Sequence, residues 1–167
     1  MITRVRHWWL AISLLPFLFS AKHRALLGEM RSFCKSLPQK LKPSLIEGLS
    51  LIDPRRTQSD TKKNNLVLLA ELRGEINEDT IRHLADLAAL LDRPSPLGLC
   101  LRRSLTRYHF LRQADVPVVI HFGAKFVNGK ADRDIAGHAW LTLNDTPYYE
   151  EDENWRGFRV MMSYPQE

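Results

Sequence analysis

Cys100 follows Pro94-Ser95-Pro96-Leu97-Gly98-Leu99 and opens a stretch of helical periodicity, while His138 begins the strand-like run His138-Ala139-Trp140-Leu141-Thr142-Leu143. A cysteine in the first turn of a helix meets unpaired backbone N–H groups and the positive end of the helix dipole. Both favour its anion, so the thiol ionises more readily and can attack a carbonyl carbon. The same N–H groups can hold a developing oxyanion. Arg102 and Arg103 come next and would add to this if they turn the same way. An imidazole at 138 can take the thiol proton and return it to a leaving amine. The chemistry implied is acyl transfer through a thioester. His7, His23, His83, His109 and His121 lack such a context, and His109 and His121 read as surface or packing residues.

A third group should orient the imidazole, and a carboxylate suits that role. The candidates downstream are Asp145, Glu150, Glu151 and Asp152. Asn144-Asp145 is a hairpin signal, which gives Asp145 turn work. A strict two-residue turn sets Leu143 against Thr146 and His138 against Glu151. A register shift of one residue brings Glu150 opposite instead. Pattern alone does not separate the two, with a slight preference for Glu151.

Several elements must carry these groups. Residues 8–35 read as mostly helical, with a break near Pro16. Pro38 and Pro43 bracket a connection, and 44–51 form a short helix. Residues 53–65 contain no apolar side chain except Pro54 and read as a solvated loop. The apolar segment 66–73 fits either helix or strand. Asn77 can cap a helix from Glu78, with Ile81, Leu84, Ala88 and Leu91 on one face, and Pro94 and Pro96 end it. In 99–113, Leu101, Leu105, Tyr108 and Leu111 are candidate core contacts. Strands are expected at 117–123, 138–143, 148–150 and 158–162, the first two joined by a turn at Asn128-Gly129-Lys130. The order predicts an α+β protein with helices followed by an antiparallel β meander packed on them. We divide it into a helical region, 1–93, and a core, 94–167.

The 167 residues are 44% hydrophobic and 26% charged, a globular balance. The net charge is +5, but the basic residues are scattered without interleaved aromatics, so no nucleic-acid partner is expected. Two cysteines, Cys34 and Cys100, make no disulfide framework and no CxxC zinc pair, though one bridge between them stays open. A reduced, cytoplasmic setting follows. No cofactor or metal is implied, since neither a phosphate loop nor a metal cluster is visible. Basic 1–7 and apolar 8–19 look like a signal-peptide start, but the run is shorter than the ~20 residues that span a bilayer. No A-x-A cleavage pattern follows. A core or interfacial helix is the expectation, which allows weak membrane association.

Cys100-Leu101-Arg102-Arg103-Ser104-Leu105 resembles the "CLxRSL" nucleophile segment of a transglutaminase-like cysteine peptidase family, the leader peptidases, or B proteins, of lasso-peptide biosynthesis. Leu111-Arg112-Gln113-Ala114-Asp115-Val116-Pro117 resembles the family's "LRxxGxP", with Asp115 where glycine is usual. Gly137-His138-Ala139-Trp140-Leu141 resembles "GHAWLE", with Thr142 replacing the glutamate at a position expected to be surface exposed. Tyr148-Tyr149-Glu150 is similar to the strand supplying the acid, twelve residues past the histidine, and 158–165 to the terminal strand.

The resemblance covers residues 94–165 and implies a transglutaminase/papain-like core with Cys100, His138 and Glu150 as its triad. It implies removal of the leader from a ribosomally made precursor peptide, followed by macrocyclisation by a separate ATP-dependent, asparagine-synthetase-like enzyme. Residues 1–93 do not read as the family's winged-helix leader-binding module, so that module is expected as a separate protein. An acyltransferase or amidase acting on other amides shares the same thioester step. A catalytically silent peptide-binding scaffold is the reading from a different class.

Overall fold

The computed structural model describes residues 20–42, 44–55, 77–92, 94–127 and 134–165. The apolar run 8–19, the polar stretch 56–65, the segment 66–73 and the turn at 128–130 lie outside them. Helix α1 is Ala21–Lys40, α2 is Leu45–Ile52, α3 is Glu78–Leu91 and α4 is Leu99–Gln113. Strands β1, Val119–Phe126, and β2, Ile135–Leu143, follow, then the two-residue β3, Thr146–Pro147. A short α5, Asp152–Trp155, precedes β4, Arg159–Tyr164. This is an α+β fold, helices against a four-stranded antiparallel sheet.

Local chemistry accounts for the helix ends. Ser44 Oγ accepts from the Glu47 N–H at 3.1 Å, and Asn77 Oδ1 accepts from the Thr80 N–H at 2.8 Å. After α4, Asp115 takes a left-handed φ of 63°, and the Val116 N–H reaches back to the Leu111 carbonyl at 3.0 Å. That is a Schellman end, and it explains why glycine is usual at this position. Pro38 lies within the last turn of α1 rather than bounding it, since burial of Leu37 continues that helix's inner face.

One core joins the layers. Leu26, Met30 and Leu37 of α1 and Leu84 and Ala88 of α3 meet Leu105, Tyr108 and Leu111 of α4, all fully buried. Ile120 and Leu141 close it from the sheet. Leu91, expected in the core, is half exposed because the packed layer ends at Ala88 and Ala89.

The sheet order is β3-β2-β1-β4, so it is not the simple meander expected from chain order. The strand expected at 148–150 does not form. β3 ends at Pro147, and Tyr149 adopts φ 50°, which carries the chain off the sheet. Tyr148 Oη donates to Glu78 Oε2 at 3.0 Å, and the Arg82 guanidinium lies 4.1 Å over the Tyr149 ring. These contacts hold the departing segment against the start of α3. The chain then returns on the far side, where β4 pairs with β1. Asp53, read as part of a solvated loop, is buried at the end of α2, where the Tyr108 and Tyr164 hydroxyls donate to Oδ2 at 3.4 and 3.2 Å.

Candidate active site

Helix α4 meets β2 where β3 has stopped. Backbone groups of Ala139 at that edge have no strand partner and need other ones. Ser104 Oγ donates to the Ala139 carbonyl at 2.7 Å, and the Ala139 N–H is directed at the Cys100 thiol. The first turns of the helix thus take the place of a neighbouring strand, which sets Cys100 beside His138.

The thiol and the imidazole hydrogen-bond, and this is the largest influence holding the Cys100 pKa below its ordinary value. Partial burial opposes it. The nearby imidazolium and the N–H groups of Ala139 and Leu101 add to the lowering. The Leu101 N–H belongs to the open first turn, as expected of a cysteine at a helix start. His138 moves the other way, to about 9, through its bonds to Cys100 and then Glu150, against burial. A lowered thiol beside a raised imidazole favours the thiolate–imidazolium form of the pair over the neutral one.

Glu150 Oε1 lies 3.2 Å from His138 Nε2. That leaves Nδ1 as the nitrogen available to the sulfur. The Glu150 side chain is only 2% exposed. Burial alone would raise its pKa, but the bond to His138 and the charges of Arg103 and His138 outweigh burial and lower it. Among the other acids considered, Glu151 is exposed and precedes α5, Asp145 sits at φ 60° in the hairpin turn, and Asp152 pairs with Arg156 at 2.6 Å.

The ring of His138 stacks on Trp140, with centroids 5.9 Å apart, and meets Phe158 at 5.3 Å. Trp140 in turn stacks on His121. Thr142, expected at the surface, is buried, because its hydroxyl bonds His121 Nε2 at 2.8 Å while Ser163 Oγ bonds Nδ1 at 2.8 Å. His109 is a packing residue, stacked on Phe33 and bonded to the Ile52 carbonyl.

The two arginines after Cys100 bond groups other than the sulfur. Arg102 caps the preceding segment, binding the carbonyls of Leu97, Ala89 and Asp92. Arg103 Nη2 donates to Glu150 Oε2 at 2.7 Å and Oε1 at 3.0 Å. Sequence reasoning missed these roles and that of Ser104. The helical spacing of Arg103 from Cys100 was the available signal. Both cysteines are free, and Cys34 is buried against the Thr106 hydroxyl at 3.0 Å. Among the described residues, no three or more His, Cys, Asp or Glu side chains are grouped to hold a metal ion. No described helix is long and apolar enough to cross a membrane.

The family model of the transglutaminase-like superfamily matches residues 54–163, and the chain belongs to that superfamily. Its members are in general cysteine peptidases and transglutaminases, which fits a thiol, imidazole and carboxylate held in line. Comparisons with curated proteins and with solved structures gave no match.

Proposed function

We propose that this chain is a cysteine peptidase that removes the leader from a ribosomally synthesised precursor peptide, with Cys100 as nucleophile, His138 as acid–base group and Glu150 as the carboxylate orienting it. The observation that carries this reading is the continuous hydrogen-bonded line from thiol to imidazole to buried carboxylate. The substrate class rests on the resemblance of the segments around Cys100, His138 and Glu150 to lasso-peptide leader peptidases.

In this mechanism the Cys100 thiolate adds to the scissile carbonyl, with the N–H groups of Leu101 and Ala139 as candidate anion donors nearby. The C–N bond breaks as the His138 proton passes to the departing amine, leaving a thioester. Water then attacks the thioester. Its proton goes to His138, the C–S bond breaks, and the thiolate–imidazolium pair is restored. The protein would work on a precursor presented by a separate leader-binding module, ahead of an ATP-dependent macrocyclase. We place this activity in the cytoplasm.

The test is cleavage of a candidate precursor, with its leader-binding partner, by wild type and Cys100→Ala. Two fragments from wild type and none from the variant are expected. Cleavage that survives the substitution overturns the assignment. An added primary amine that appears covalently joined to the fragment at the expense of hydrolysis would instead identify an acyltransferase.

A further inference from the structure

Arg103 and Cys100 lie three residues apart on α4, so one helical face carries both the nucleophile and a cation bound to the acid. Arg103 reaches both carboxylate oxygens of Glu150, while His138 Nε2 reaches one. We propose that Arg103 is a positioning residue for the second half-reaction: it keeps Glu150 a carboxylate while His138 is neutral, and so allows the thioester to be hydrolysed. This rests on the triad reading above.

The need appears when the charges are followed through the cycle. In the ionised form that attacks, the Cys100 thiolate, His138 imidazolium, Glu150 carboxylate and Arg103 guanidinium balance one another. Acylation forms the S–C bond, breaks the bond to the leaving group and uses the His138 proton. The sulfur is then uncharged in the thioester and the imidazole is neutral. Without Arg103, Glu150, 2% exposed, would have no cation bonded to it, and the one further charge acting on it, that of Arg107, is already paired with Asp86. A buried carboxylate in that state tends to take up a proton. Once protonated, it would donate to Nε2 and force the ring's remaining proton onto Nδ1. That is the nitrogen facing the sulfur, and it must be free to accept a proton from water. With Arg103 present, Glu150 remains an acceptor, Nε2 keeps its hydrogen and the Nδ1 lone pair is available. Acylation depends less on this arrangement, because the required proton is already on the ring.

The experiment uses the purified full chain and p-nitrophenyl acetate in stopped flow. Release of nitrophenolate reports acylation, and the steady rate reports hydrolysis. Arg103→Gln is expected to acylate within a few-fold of wild type but to turn over about 10-fold or more slowly. Acetyl-enzyme should then accumulate on Cys100 by mass spectrometry, and Arg103→Lys should recover part of the turnover. The rate of Cys100 alkylation by iodoacetamide serves as the check on folding. If Arg103→Gln does not fold, the ratio of acylation to turnover in Arg103→Lys decides. Equal slowing of both phases, or no change in their ratio, overturns the proposal. A wild type that never acylates Cys100 removes the triad reading itself.

Discussion

Glu150 Oε1 stands 3.2 Å from His138 Nε2 because the residue before it, Tyr149, leaves the sheet through a φ of 50°. The hairpin starts in the strict register, with Leu143 opposite Thr146 and Thr142 opposite Pro147. Had it continued, Glu151 would face His138. The turn at Tyr149 brings Glu150 to the imidazole, and Glu151 ends at the surface. Glu150→Ala is therefore expected to lower turnover by ~10²–10⁴, the range associated with a misplaced general base. Glu151→Ala should stay within about two-fold, as for most surface changes. Steady-state hydrolysis of a common ester by both variants measures this, and equal losses would contradict the assignment.

The paired shifts of Cys100 and His138 predict a bell-shaped rate for amide cleavage. The acid limb follows loss of the thiolate, below the ordinary cysteine value. The alkaline limb lies near 9, where the imidazolium loses the proton needed by the leaving amine. A nitrophenyl ester needs no such proton, so its acylation rate should show the acid limb and lack the alkaline one. The same sign applies to stability. The folded pKa of His138 is raised, so its contribution is complete below the ordinary histidine range and disappears as pH rises through about 9. Melting temperatures of wild type and His138→Ala should therefore converge between pH 7 and 10. A difference that widens over that range would contradict the ion pair.

Much of this site was legible because it depends on short-range rules. The Asn77 cap, the proline stop and the helical spacing of Leu105, Tyr108 and Leu111 need only a few neighbouring residues. Cys100 at a helix start and His138 on a strand could be read in the same way. What escaped depends on distant partners. Thr142 is buried because His121 on the adjacent strand accepts its company, and Asp53 is buried because Tyr108 and Tyr164 converge on it. The order β3-β2-β1-β4 follows from contacts of Tyr148 and Tyr149 with α3, about 70 residues earlier in the chain. Local hydrophobic period carries no information about such pairings.

Arg107 and Asp86 form the buried tie between α4 and α3, at 2.6 Å from Nε to Oδ1 and 2.5 Å from Nη2 to Oδ2. Both residues are buried. Removing one partner leaves the other charge desolvated and unpaired, at a cost of roughly 3–5 kcal/mol. Arg107→Ala should lose about that much in urea unfolding. Arg107→Met with Asp86→Leu should recover most of it, since apolar replacement of both charges can be neutral or better. A single variant within about 1 kcal/mol of wild type would show that the tie contributes little.

Gly123 lies opposite His138 in the β1–β2 ladder, and the Trp140 ring fills the space where a side chain would begin. A Cβ at 123 would stand 2.7 and 2.8 Å from two ring carbons of Trp140 and 3.1 Å from the Arg159 carbonyl. The ring cannot retreat without disturbing His138, which stacks on it. Gly123→Ala is thus expected to cost about 1–3 kcal/mol as overpacking. It should also slow acylation of Cys100, because the tryptophan pushed from its place carries the imidazole with it. Stopped-flow acylation alongside urea unfolding separates the two effects. Lost stability with wild-type acylation would mean that Trp140 supports the sheet but does not hold His138 in place.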